Sequence, residues 1–226
     1  MKVVPFNTES YEPRLESYEH RPNIYQFLDD IISLEDKKIL DWGCKTGGLL
    51  FFSEGKIKQE NYTGVDVNSK SLKVLKDTFP RAKTIHYDRY NNSYNHNGKK
   101  YCSWCLNDKY DVIFSFSVFT HTSFTEFQDV FNNHKEHLNK GGLMIHTFAD
   151  MKNKEHTKYL LTDEQFKTYS PTFDELYRYD DELSIEYSDK KCDIFISFFD
   201  SNYVGEKLDC YVNETPLLTT AIYERT

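Results

Sequence analysis

An apolar run that ends in an acid and a glycine-rich turn, followed by a second apolar run that also ends in an acid, constrains this chain more than any other feature. The residues are Lys38-Ile39-Leu40-Asp41-Trp42-Gly43-Cys44-Lys45-Thr46-Gly47-Gly48, then Gly64-Val65-Asp66-Val67. Strand, glycine turn, helix and strand open a nucleotide-binding βαβ unit, in which glycines let backbone approach a ligand and the second carboxylate takes a ribose diol. A dinucleotide fingerprint requires G-x-G-x-x-G, whereas residues 43–48 read G-C-K-T-G-G. Asp41 is also placed to face a pyrophosphate, which it would repel. The same carboxylate suits a ligand that carries an ammonium and a sulfonium.

The rhythm continues downstream. Pro22 reads as a first helical position, with Ile24, Phe27, Leu28, Ile31 and Ile32 at helical spacing behind it. Strands are expected at 38–41, 62–67 and 83–88, with helices over 47–58 and from an N-cap at Asn68 to just before Pro80. Residues 89–109 form a polar loop rich in Asn and Tyr. Residues 110–119 are almost continuously apolar or small, as in a central parallel strand buried on both faces. Ser123-x-x-Glu126 reads as a capping box for a helix carrying Phe127, Val130, Phe131 and Leu138, which Gly141 and Gly142 end before a strand over 143–149. Strands alternating with helices call for a doubly wound, mostly parallel α/β sheet. The last third breaks the pattern. Residues 150–197 are acidic and aromatic and read as an insertion over the sheet's carboxyl edge; 201–208 reads as a short helix and 208–226 as a closing hairpin.

Composition sets limits on partners. The 226 residues carry a net charge of −8, which argues against a surface that tracks nucleic-acid phosphates. No apolar run approaches the roughly 18 residues of a membrane span and the N-terminus has no signal-peptide core, so a soluble, cytoplasmic protein is expected. Five cysteines make no disulfide framework. Cys102-x-x-Cys105 lacks the second ligand pair of a zinc site, with His96 the nearest further ligand, so no metal is expected.

These motifs resemble the class I S-adenosylmethionine-dependent methyltransferases, over residues 36–149 by motif and over the closing hairpin by topology. The resemblance implies a Rossmann-like seven-stranded sheet whose C-terminal hairpin is antiparallel, in one domain with S-adenosylmethionine as cofactor. The domain divides into a cap helix region (1–35), a cofactor-binding core (36–149), a substrate lid (150–207) and the hairpin (208–226). Asp41, Gly43, Cys44, Lys45 and Gly47 correspond to the methionine-binding turn, and Asp66 with Val67 to the ribose contact. Asp88 with Arg89 corresponds to the adenine contact, and Ser115, Phe116 and Ser117 to the motif bordering the methyl. Lys45 stands where the family has its middle glycine. A lysine there is expected to avoid positive φ, or to reach the cofactor's carboxylate.

For catalysis, His121 and His146 follow strands on the edge where such sheets hold ligands, and an imidazole can take a proton from a hydroxyl near neutral pH. Tyr11, Tyr18, Tyr25, Phe173, Tyr177, Tyr179 and Tyr187, with acids such as Asp174 and Asp180, are candidates to roof the pocket and favour a cationic or hydroxyl-rich acceptor. The expected reaction is in-line methyl transfer to a hydroxyl or amine of a small molecule. RNA or protein methylation and a non-catalytic binding domain are the rival readings. Against the first stands the lack of an Asn/Asp-Pro-Pro-Tyr motif at 115–118; Lys45 is the one sign of the second.

Overall fold

The computed structural model describes residues 24–91, 94–100, 106–153, 182–188, 193–213 and 218–226; at Ile24, 182–188 and 193–196 it is the backbone that is described. The chain runs α1 (Ile24–Asp29), β1 (Ile39–Trp42), α2 (Gly48–Phe52), β2 (Tyr62–Asp66), α3 (Ser69–Thr78), β3 (Lys83–His86) and β4 (Tyr110–Ser115). It continues with α4 (Phe124–His137), β5 (Leu138–Phe148), β6 (Glu182–Ser188), β7 (Asp193–Phe199), α5 (Ser201–Leu208), β8 (Tyr211–Asn213) and β9 (Thr219–Glu224). One seven-stranded sheet has the order β3-β2-β1-β4-β5-β9-β8. The first five strands are parallel, and β9 runs antiparallel to both β5 and β8.

Both faces of the sheet are covered, which explains the near-continuous apolar strands. Strand alternation sends Ile39 and Val112 into one core with Leu28 of α1, Leu49 of α2 and Leu75 of α3. Leu40, Trp42 and Ile113 enter the other core with Phe127 and Phe131 of α4 and Val204 of α5. Asn68 caps α3 by accepting from the amides of Lys70 and Ser71, and Ser123 caps α4 by accepting from that of Glu126. The capping box is only half made, because the Glu126 carboxylate turns toward Arg89, 3.7 Å away.

Several boundaries differ from the sequence reading. β4 stops at Ser115, and the chain turns through a 3₁₀ segment, Phe119–His121. Gly141 and Gly142 do not end α4; they sit inside β5, where residues 139–142 bulge between the pairs Tyr110–Leu138 and Val112–Leu143. Gly141 adopts φ +73° there. The helix ends earlier because Arg225, next to β9, donates from Nη1 to the carbonyls of Lys135, Glu136 and Leu138.

Within the inserted stretch, β6 and β7 pair as a separate antiparallel hairpin. Its end is tied to the sheet: the Phe199 amide donates to the Ala149 carbonyl at 2.9 Å, and the Met151 amide to the Phe199 carbonyl at 3.1 Å. Phe199 is fully buried against Phe124, Phe127 and Phe148. Residues 1–23 and 154–181, with Tyr11, Tyr18, Phe173, Asp174, Tyr177, Tyr179 and Asp180, lie outside the described residues, as does the Tyr187 side chain. Tyr25 is buried in the core on α1 and, among the described residues, is not one of those that line the cavity described below. Among the described residues no helix is long and apolar enough to cross a membrane.

Candidate functional site

Three turns meet at the carboxyl ends of β1, β2 and β4, where a doubly wound sheet opens a crevice. They enclose a cavity of about 270 Å³. Its bed is apolar, made by Trp42, Val65, Phe119 and Val130, and Tyr87 packs on Trp42 at 5.0 Å between ring centroids. Polar groups rim it: Lys45, Asp66, Asn68, Arg89, His121 and Glu126.

Asp66 is the best-fixed of these. Its Oδ2 accepts from the Lys45 amide at 2.8 Å and its Oδ1 from the Asn68 amide at 2.7 Å. Burial raises its pKa, and the two amides work against that rise. Gly43, at φ +79°, passes so near β4's extension that a Cβ would stand 2.2 Å from Val118 Cγ2. Lys45 adopts φ +48° and Ser117 φ +55°, so the expectation that a lysine must avoid positive φ fails. Its amide bond to Asp66 ties it into that turn, and the left-handed backbone costs roughly 1–2 kcal/mol for a residue with a Cβ.

Of the residues singled out in the sequence, the cavity brings together Gly43, Lys45, Asp66, Val67, Arg89, Phe116, Ser117 and His121. Six others lie outside its wall. Asp41 belongs to β1 rather than to the turn, so alternation carries it to the opposite face from Trp42. There it accepts from the Tyr62 hydroxyl at 2.6 Å, and burial pushes its pKa up to about 7. It does not line the cavity. Cys44 is a buried thiol, with Sγ 2.7 Å from where Gly64 would carry a Cβ. Gly47, at φ +89°, starts α2. Asp88 lies two residues past β3; it accepts from Asn95 Nδ2 at 3.3 Å and pairs with Lys99 at 3.7 Å.

Ser115 and His146 form a buried chain instead of a catalytic edge. Ser115 Oγ lies 2.8 Å from His146 Nδ1, and His146 Nε2 lies 3.1 Å from Nδ1 of His134. All three are fully buried, and His134 Nε2 has no hydrogen-bond partner among the described residues. Burial depresses the pKa of both histidines, that of His146 to about 3. His146 is fully buried and does not line the cavity.

The sequence reading missed Trp42, Tyr87, Tyr94 and Glu126. Trp42 was legible by alternation from Asp41, and Glu126 as an acid one turn into a helix at the ligand edge. Nothing marked Tyr94, one of several tyrosines in a polar loop. Cys102 and Cys105 lie outside the described residues.

A methyltransferase-domain family model matches residues 40–144. The matched stretch, just under half of the chain, is a methyltransferase domain. The fold is similar to that of the CcbJ methyltransferase from Streptomyces caelestis, at TM-score 0.59 and 11% identity over 93% of this chain and 95% of that one. It is similar to the glycopeptide N-methyltransferase MtfA complexed with S-adenosyl-L-homocysteine, at 0.58 and 10% over 99% and 100%. A third similar structure is an S-adenosylmethionine-dependent methyltransferase from Clostridium acetobutylicum, at 0.57 and 13% over 96% and 97%. No curated protein matches the sequence.

Proposed function

We propose that this methyltransferase binds its cofactor in the cavity at the ends of β1, β2 and β4 and passes the methyl group to a hydroxyl or amine of a small molecule. The reading rests on Asp66. Two backbone amides fix its carboxylate at the tip of β2, it faces the cavity, and its remaining lone pairs suit a vicinal diol. Gly43 supports it, because backbone without a Cβ leaves the close approach that a ligand's chain needs. Trp42, Val65, Val67 and Tyr87 provide an apolar bed suited to a purine ring.

The bound cofactor supplies a methyl on a sulfonium, which departs as a neutral thioether. The chain's task is to hold the acceptor in line behind that methyl and to keep water out. An amine that enters neutral needs no base. A hydroxyl must lose its proton, and we assign that proton to His121, whose imidazole borders the cavity on the Phe119–His121 turn. β7 packs against this turn, which favours reading 150–207 as the acceptor's lid. The net charge of −8 and the glycopeptide named for MtfA favour a small or peptide-like acceptor over nucleic acid.

Calorimetry with S-adenosylmethionine tests the cofactor site, and a panel of hydroxyl and amine acceptors read by S-adenosylhomocysteine release tests the reaction. No heat of binding at millimolar cofactor defeats the proposal. With a hydroxyl acceptor in hand, His121→Ala should lower turnover by about 10². Undiminished turnover removes His121 from the chemistry.

A further inference from the structure

The loop between β3 and β4 folds back on itself beside the cavity. The Lys99 amide donates to the Asp88 carbonyl at 2.8 Å, and the Tyr90 amide to the Lys99 carbonyl at 2.9 Å. Asn95 Nδ2 donates to the Arg89 carbonyl at 3.0 Å, and the Tyr94 amide donates to Asn91 Oδ1 at 3.0 Å. These bonds place Tyr94 on the cavity wall, although it is 39% exposed.

Its ring spans the two turns that border the reaction zone. On one side it meets the His121 imidazole edge-on, with centroids 5.5 Å apart and planes at 83°. On the other, the Lys45 ammonium stands 5.7 Å from its centroid. The negative face of a tyrosine ring attracts cations within about 6 Å, ligand cations included. The ring therefore already carries a positive charge at the cavity, between the glycine turn and the turn after β4.

We propose that Tyr94 is the residue by which this site reads the cofactor's charge: its ring face receives the sulfonium in place of the Lys45 ammonium. The inference rests on the cavity being the cofactor site. Methyl transfer converts the sulfonium into a thioether that has no charge, so the ring's attraction ends with the reaction. The site then holds cofactor more tightly, relative to product, than it would without the ring, which favours product release.

The test compares dissociation constants for S-adenosylmethionine, sinefungin (an ammonium in place of the sulfonium) and S-adenosylhomocysteine, by calorimetry on the full chain. Tyr94→Leu should weaken the two cationic ligands about fivefold, corresponding to about 1 kcal/mol, and change S-adenosylhomocysteine less than about twofold. Tyr94→Phe should keep the wild-type ratios. Lys45→Met, which removes the rival cation, should raise the preference for S-adenosylmethionine over S-adenosylhomocysteine. All three ligands share one carboxylate, so any Lys45 contact with it cancels from that ratio. Equal losses for charged and neutral ligands in Tyr94→Leu, or a Tyr94→Phe that behaves like Tyr94→Leu, overturns the proposal. Wild type that binds none of the three overturns the cofactor site itself, a separate failure.

Discussion

The buried Ser115–His146–His134 chain makes a prediction about acid stability. In the unfolded chain His146 titrates near its ordinary 6.5, whereas burial holds it at about 3 in the folded protein. Below pH 6.5 the unfolded state therefore binds a proton that the folded state refuses, and stability falls as pH falls. Between about pH 7.5 and pH 5 this costs roughly 2 kcal/mol, from about 1.36 kcal/mol for each of the 1.5 units below 6.5. Asp41 acts in the opposite sense. With a folded pKa of about 7 it holds a proton that the unfolded chain releases, so its contribution is present at low pH and lost as pH rises through 7. Over the same interval it offsets roughly 2.5 kcal/mol, so the wild-type profile alone decides nothing. The difference between wild type and His146→Gln cancels the Asp41 contribution. Urea unfolding at both pH values should find the variant less stable at pH 7.5, with its deficit smaller by about 2 kcal/mol at pH 5. A deficit independent of pH, or one that grows on acidification, refutes the assignment of His146 as a buried neutral imidazole.

Three further substitutions probe the cavity. Asp66→Ala should weaken S-adenosylmethionine by about 1–3 kcal/mol through lost charge-assisted hydrogen bonds, read by calorimetry; an unchanged dissociation constant rejects the diol contact. Gly43→Ala should destabilise the fold by about 2–3 kcal/mol, because the new Cβ strikes Val118 and φ is +79°. Adding Val118→Ala should recover part of that loss in urea melts. Lys45→Gly should stabilise the protein by about 1 kcal/mol by relieving left-handed backbone, and a lowered urea midpoint would mean the Tyr94 contact outweighs the strain.

Legibility divided along physical lines. The succession of strands and helices, the two buried faces and the position of Asp66 at a strand end followed from patterns of a few adjacent residues, because alternation and strand-end acids act locally. Asp41 already stood inside the expected strand, and strict alternation sends it to the face opposite Trp42, outside the cavity wall. The end of α4 was hidden because its cap, Arg225, arrives from β9. Gly141 and Gly142 resembled a helix stop and serve a bulge. Tyr94 took its place through contacts with Lys45 and His121, which lie far from it in the chain.

The sheet order places β9 between β5 and β8, although β9 is made after both. During synthesis β5 therefore emerges with one edge bare and waits through the β6–β7 hairpin and α5 for its neighbour. An uncovered edge beside an apolar face is where nascent chains stick to one another. Chaperone demand should accordingly be highest between translation of β5 and arrival of β9.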